Sequence, residues 1–189
     1  MKKKIFIILL SIVMVFSLTG CEKSKLEDSK EELEKTYEKY GSVEEKTVEM
    51  LVAKFNTEVM DNDGTSLNPA SPDYLTESDN MYWYGLIEGI YLVVVPKEYK
   101  GNTKNEIVDY MLIYVEKNSK YESDAKEYAK HLIKANNNEL TESEIETLLD
   151  EAKSKSSTGK SAYNGKGITV GYLDKSKYYQ YQVLRMYKY

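Results

Sequence analysis

Among the side chains that occur once in this sequence, two are of types that do nucleophilic or acid–base chemistry: Cys21 and His131. A thiolate is a nucleophile and a soft metal ligand, and an imidazole changes charge near neutral pH. A Ser-His-Asp triad would have to recruit His131, but the Gly-x-Ser-x-Gly turn of the hydrolase elbow does not occur. His131, beside Leu132, therefore reads as a surface or half-buried imidazole. Gly159-Lys160 and Gly165-Lys166 lack the spacing and the following helix of a phosphate loop. In Asp61-Asn62-Asp63-Gly64 the glycine stands fourth, whereas a calcium loop needs it sixth with a glutamate to close the site. That tetrapeptide reads as a helix-terminating turn, and no metal or cofactor is expected.

Carboxylates are plentiful, with 31 acidic residues. Glu88, next to Gly89 inside an apolar run, is the one best placed for a raised pKa, although a turn glutamate facing solvent is the simpler reading. Arg185 is the only arginine, a candidate anion contact whose default partner is one of these carboxylates. Tyr82-Trp83-Tyr84 is a candidate ligand surface, against the simpler alternative of core and sheet-edge packing. No catalytic residue is assigned.

What precedes Cys21 gives the cysteine its meaning. Lys2, Lys3 and Lys4 form a positive start, followed by an apolar run from Ile5 to Leu18 interrupted only by Ser11 and Ser17. A helix that short does not cross a hydrocarbon core, which needs about 20 residues, so the segment reads as a removable export signal. Leu18-Thr19-Gly20-Cys21 resembles the lipobox of bacterial lipoproteins: a large aliphatic residue, two small ones and an obligatory cysteine. The resemblance covers the first 21 residues. It implies cleavage between Gly20 and Cys21, a diacylglycerol thioether on Cys21, and a palmitate-type acyl group on the new amino terminus. Two or three acyl chains, at about 0.8 kcal/mol per buried methylene, would hold the chain at the membrane permanently. With its thiol committed to lipid, the chain has no Cys/His catalysis, no thiolate zinc site and no internal disulfide.

Composition sets further bounds. Loss of Lys2, Lys3 and Lys4 leaves 23 basic against 31 acidic residues, a net charge of about −8. An acidic protein above an acidic membrane is not expected to bind nucleic acid. Tyrosine occurs 18 times against three phenylalanines. With lysine and asparagine also abundant and arginine scarce, this excess reads chiefly as the drift of an AT-rich genome.

The elements follow from periodicity. Residues 1–20 are the signal and 21–41 a charged stalk, with Leu26, Leu33, Tyr37 and Tyr40 as its sizeable apolar groups. The domain is expected over 42–189. Ser42 and Glu45 have capping-box spacing and predict a helix whose buried face is Val48, Leu51, Val52, Phe55 and Val59. Residues 65–80 read as a loop. Met81 to Pro96 reads as sheet, with a turn or bend at Glu88-Gly89, and Ile107 to Val115 as an interior strand with both faces apolar. A helix is predicted from Asp124 to Ala135, and a second one opened by the Thr141/Glu144 capping box. Lys153 to Lys160 reads as a loop, and strands follow over 165–173 and 178–187. The expected fold is α+β: a single two-layer domain with a mostly antiparallel sheet of four to five strands, an N-terminal amphipathic helix and a central helix pair.

The expected function is that of a non-enzymatic, lipid-anchored binding protein on the extracytoplasmic face of the cell membrane. It resembles small, uncharacterised lipoproteins of Gram-positive bacteria. Its partner would be an envelope protein or the cell wall. The alternatives are an accessory lipoprotein of a transporter and, third, a carboxylate-dependent hydrolase of cell-wall glycan.

Overall fold

The computed structural model describes residues 43–61, 67–163 and 166–186. The signal over 1–20, Cys21, the stalk over 21–41 and the expected helix start at Ser42 lie outside these residues. Among the described residues three α-helices and seven strands make an α+β fold. The helices are α1 (Val48–Met60), α2 (Ala125–Asn136) and α3 (Glu142–Lys155). The strands are β1 (Leu75–Ser78), β2 (Met81–Ile87), β3 (Ile90–Pro96), β4 (Val108–Glu116), β5 (Ala162–Tyr163), β6 (Ile168–Asp174) and β7 (Tyr178–Arg185). They form one sheet in the order β1-β2-β3-β4-β7-β6-β5, with every pairing antiparallel. The first four strands are a meander. The α2–α3 pair then carries the chain over the sheet, so that β7 comes back beside β4.

Turn chemistry sets the meander. Glu88-Gly89 joins β2 to β3, and Gly89 has φ 78°, a left-handed value that favours glycine. Space adds a second demand there, because a Cβ on Gly89 would lie 2.9 Å from Ser119 Cβ. Asp79 and Asn80 join β1 to β2 with φ 53° and 62°, the pair of left-handed residues that a type I′ turn requires. The sheet thus exceeds the expected four to five strands by β1 and β5. Both are short edge elements, and β1 (Leu-Thr-Glu-Ser) is too polar to stand out from a loop.

α1 buries Val48, Leu51, Val52, Phe55 and Val59, the face that periodicity marks, but it starts at Val48 rather than Ser42. Thr47 is the cap, its hydroxyl accepting from the Met50 amide at 3.3 Å. The segment before it is claimed by strands. Val43 N–H donates to Met186 O at 2.8 Å, Val108 N–H donates to Lys46 O at 3.0 Å, and Thr47 bridges Ile107. α3 has the full capping box: Glu144 N–H donates to Thr141 Oγ1, and Thr141 N–H donates to Glu144 Oε2 at 2.8 Å. It runs on to Lys155 and through a 3-10 turn at Ser156–Thr158, so only the end of the expected 153–160 loop is irregular.

The helices cover one face of the sheet. Tyr82, Tyr84 and Leu86 of β2, Ile90, Leu92 and Val94 of β3 and Met111, Ile113 and Val115 of β4 belong to one core with the apolar faces of α1, α2 and α3. Val108 joins them, although strict alternation from Met111 would turn it away. The register slips between Val95 and Pro96, and this bulge returns Val108 to the core.

Two buried ions close this core at one end. Glu106 accepts from the Tyr82 hydroxyl at 2.6 Å and from the amides of Lys100 and Asn102, fixing the loop before β4. Burial pushes its carboxyl pKa up, but these hydrogen bonds outweigh burial and hold it below the usual value. Arg185 donates through one guanidinium nitrogen to Asn136 Oδ1 at 2.8 Å and Asn136 O at 3.3 Å, and through the other to Glu44 O at 2.7 Å. The strap over residues 43–47, the end of α2 and the end of β7 thereby meet on one side chain. Replacing it with an uncharged group of similar length, Arg185→Met, strands these buried oxygens and is expected to cost about 2–4 kcal/mol. Urea unfolding of the full chain should show this as a lower midpoint with an unchanged slope.

Candidate functional site

The Tyr82-Trp83-Tyr84 trio does not form one surface. Alternation along β2 sends Tyr82 and Tyr84 into the core, at 0% and 4% exposure, and turns Trp83 to the face away from the helices. As a ligand surface, Tyr82 and Tyr84 are therefore corrected to core residues. Only Trp83 is left on a face where something can dock.

Trp83 does not stand alone on that face. Across the sheet the register aligns Trp83, Val93, Leu112, Gln182 and Gly171 in one row. The next row holds Gly85, Tyr91, Tyr114, Gln180 and Leu173, and a third holds Val95, Tyr110, Leu184 and Thr169. Trp83, Tyr91 and Tyr114 meet edge to face, with ring centroids 5.5–6.1 Å apart. Tyr178 stacks on Tyr114 at 4.7 Å and 26°. At the rim Tyr74 is 70% exposed, and its Cβ lies 3.5 Å from where a side chain on Gly85 would begin. The Trp83 indole N–H is shielded from solvent and meets no acceptor among the described residues.

These three rows carry no charge, in a chain that is 30% Asp, Glu, Lys and Arg, whereas the next row sets the carboxylate of Glu116 opposite Tyr178. The outer face of an antiparallel sheet ordinarily alternates to polar and charged residues. Here the side chains are aromatic, aliphatic, amide or hydroxyl. Sequence reasoning missed the assembly because it requires the strand order. Its local trace was the apolarity of both faces of β4, read as double coverage by other elements. The rings also sit toward one end. The strap meets β7 at Met186, whereas Tyr178 begins that strand eight residues earlier, about 26 Å away.

His131 lies elsewhere. It is buried on α2 and lines an open depression of about 190 Å³ with Glu58 and Asp61 of the α1 end, Lys130 and Lys134 of α2, and Glu142 of α3. Three of the carboxylates there are bound by lysines: Lys134 reaches Glu58 at 3.4 Å and Glu142 at 3.9 Å, and Lys130 reaches Glu127 at 2.8 Å. The depression is thus a seam joining three helices, with four carboxylates facing two lysines. Among the described residues no group of three or more His, Cys, Asp or Glu is placed to hold a metal ion. Glu88 is exposed in the β2–β3 turn and pairs with Lys120 at 3.3 Å. Arg185 bonds carbonyl and amide oxygens within the core rather than facing a ligand. Among the described residues no helix is long and apolar enough to cross a membrane.

The chain matches no family model, no curated protein and no solved structure.

Burial pushes the His131 imidazole below its ordinary value of 6.5, against the pull of Glu127 and Glu58. The unfolded chain then binds more protons than the native one as pH falls through 6.5 toward the folded value. Stability is complete above 6.5 and declines as the solution is acidified through that window. His131 is the only histidine, so His131→Gln should flatten this part of the curve of unfolding midpoint against pH. A slope equal to that of the parent would assign the proton uptake to other groups.

Proposed function

We propose that this chain is a lipid-anchored binding protein of the bacterial cell envelope, held to the outer side of the membrane through Cys21. It acts through the outer, aromatic face of its sheet. The observation that supports binding is that face itself. A large aromatic surface with little charge is costly to present to water and is the kind of surface that marks a contact site. The anchor rests on the lipobox-like Leu18-Thr19-Gly20-Cys21.

The test is fractionation of cells that express the full chain. The parent should sediment with membranes and carry label from radioactive palmitate. Cys21→Ala should carry none and lose the acyl anchor, so that a wash at high pH strips it from the membrane fraction. Retention of an unlabelled Cys21→Ala chain through that wash would point to an uncleaved apolar span in place of a lipid anchor.

A further inference from the structure

We propose that Met50 and Met60 form a reversible oxidation site on the outward side of α1, where a peroxide converts both thioethers to sulfoxides while the fold stands. This goes beyond the binding reading above and does not depend on it. The helix period makes the site. With Val48, Leu51, Val52, Phe55 and Val59 turned into the core, Met50, Ala53, Thr57 and Met60 fall on the opposite side of the helix. Met50 is 48% exposed and Met60 65%. Among the described residues these are the exposed methionines: Met81 and Met186 are half-buried, and Met111 is fully buried.

A thioether reacts through a lone pair of its sulfur, which attacks one oxygen of the peroxide. The O–O bond breaks and an S–O bond forms; sulfur gives up two electrons. The proton of the transferred oxygen passes to the departing one, which leaves as water or an alcohol. No other side chain takes part, so access sets the rate. The return step takes two electrons from a dithiol, which becomes a disulfide as water is released, the reaction of the methionine sulfoxide reductases. Such an enzyme has to seat the sulfoxide in its own active site, and a protruding side chain allows that. The cost to the fold also follows position. On the outward side of α1 water solvates the new oxygen, and no core contact is lost. At Met111 the same oxygen would be forced among buried side chains. The Met111 sulfur also accepts from Asn136 Nδ2 at 3.6 Å, and Asn136 is the residue that holds Arg185. The sulfurs that meet peroxide first are therefore the ones whose oxidation the fold tolerates.

The purified full chain, in detergent freed of peroxide, is treated with graded hydrogen peroxide, and peptide mass spectrometry follows the gain of one oxygen at each methionine. Met50 and Met60 are expected to react first. Met111 should react at least about tenfold more slowly, because peroxide reaches it only when the structure opens. In urea above the unfolding transition the three rates should converge. The chain oxidised at both sites should keep the urea midpoint of the untreated one. Treatment with a dithiol and the two reductases, one for each sulfoxide epimer, should return both sites to thioether. Met50→Leu/Met60→Leu, which removes both sulfurs from an exposed surface, should fold and take up no oxygen on α1. Three results overturn the proposal: Met111 oxidised in step with the pair in the folded chain, a midpoint lowered by oxidation of the pair alone, or sulfoxides on the folded chain that both reductases leave untouched.

Discussion

The guanidinium of Arg185 is where the fold is tied together. A buried cation is costly unless oxygens surround it, and here they come from two distant places: the carbonyl of Glu44 in the strap, and the carbonyl and side chain of Asn136 at the end of α2. The end of a helix is a favourable place for a positive charge, because its last carbonyls are unpaired and the helix dipole is negative there. Arg185 ends β7, so one side chain sets where the strap crosses the sheet, where α2 stops and which strand lies between them. Glu106 does the corresponding work for the next loop with the opposite charge. It gathers the amides of Lys100 and Asn102 around one carboxylate, while Val48 N–H donates to its carbonyl at 2.9 Å and begins α1.

With that end fixed, the two faces of the sheet diverge. The helix side is filled by aliphatic and aromatic side chains, and it consumes the apolar stripes of all three helices. The other side still holds large rings, and Val93 and Leu112 between them are nearly as inaccessible as core residues, at 1% and 6%. Three rows of a sheet face composed like an interior, without a charge among them, stand against the pressure for solubility that governs the rest of this chain. The charges reappear beyond these rows, where Glu116 stands opposite Tyr178 and Lys117 pairs with Asp174 at 2.5 Å.

What the sequence made legible was what local physics decides. The five apolar residues of α1, the capping box of α3, and the glycine that turns β2 into β3 are signals within a few residues of one another. The start of α1 was misread because Ser42-Glu45 has the spacing of a cap, whereas the strap is claimed by strand ends more than sixty residues away. β1 was invisible because an edge strand with one covered face needs little apolar content; its evidence was the left-handed Asp79-Asn80 pair. The aromatic site was half legible. Trp83 was singled out, but with Tyr82 and Tyr84, which alternation sends to the opposite face. Its true neighbours, Tyr91, Tyr114 and Tyr178, reach it only through the pairing of β2, β3, β4 and β7.

The excess of tyrosine then acquires a physical reading beside the compositional one. A buried phenol fills a core like phenylalanine, but its hydroxyl must be satisfied, and that requirement reaches outward. Tyr82 extends to Glu106 and so holds the loop before β4, while the Tyr128 hydroxyl accepts from Asn68 N–H at 2.8 Å and holds the chain that leads toward β1. Phenylalanine at either site would keep the packing and release the loop. On the other face the same side chain works in reverse, with the ring supplying apolar area and the hydroxyl supplying solubility. Tyrosine is thus the residue that can line both sides of one sheet, pinning loops from within and keeping an uncharged face wettable from without.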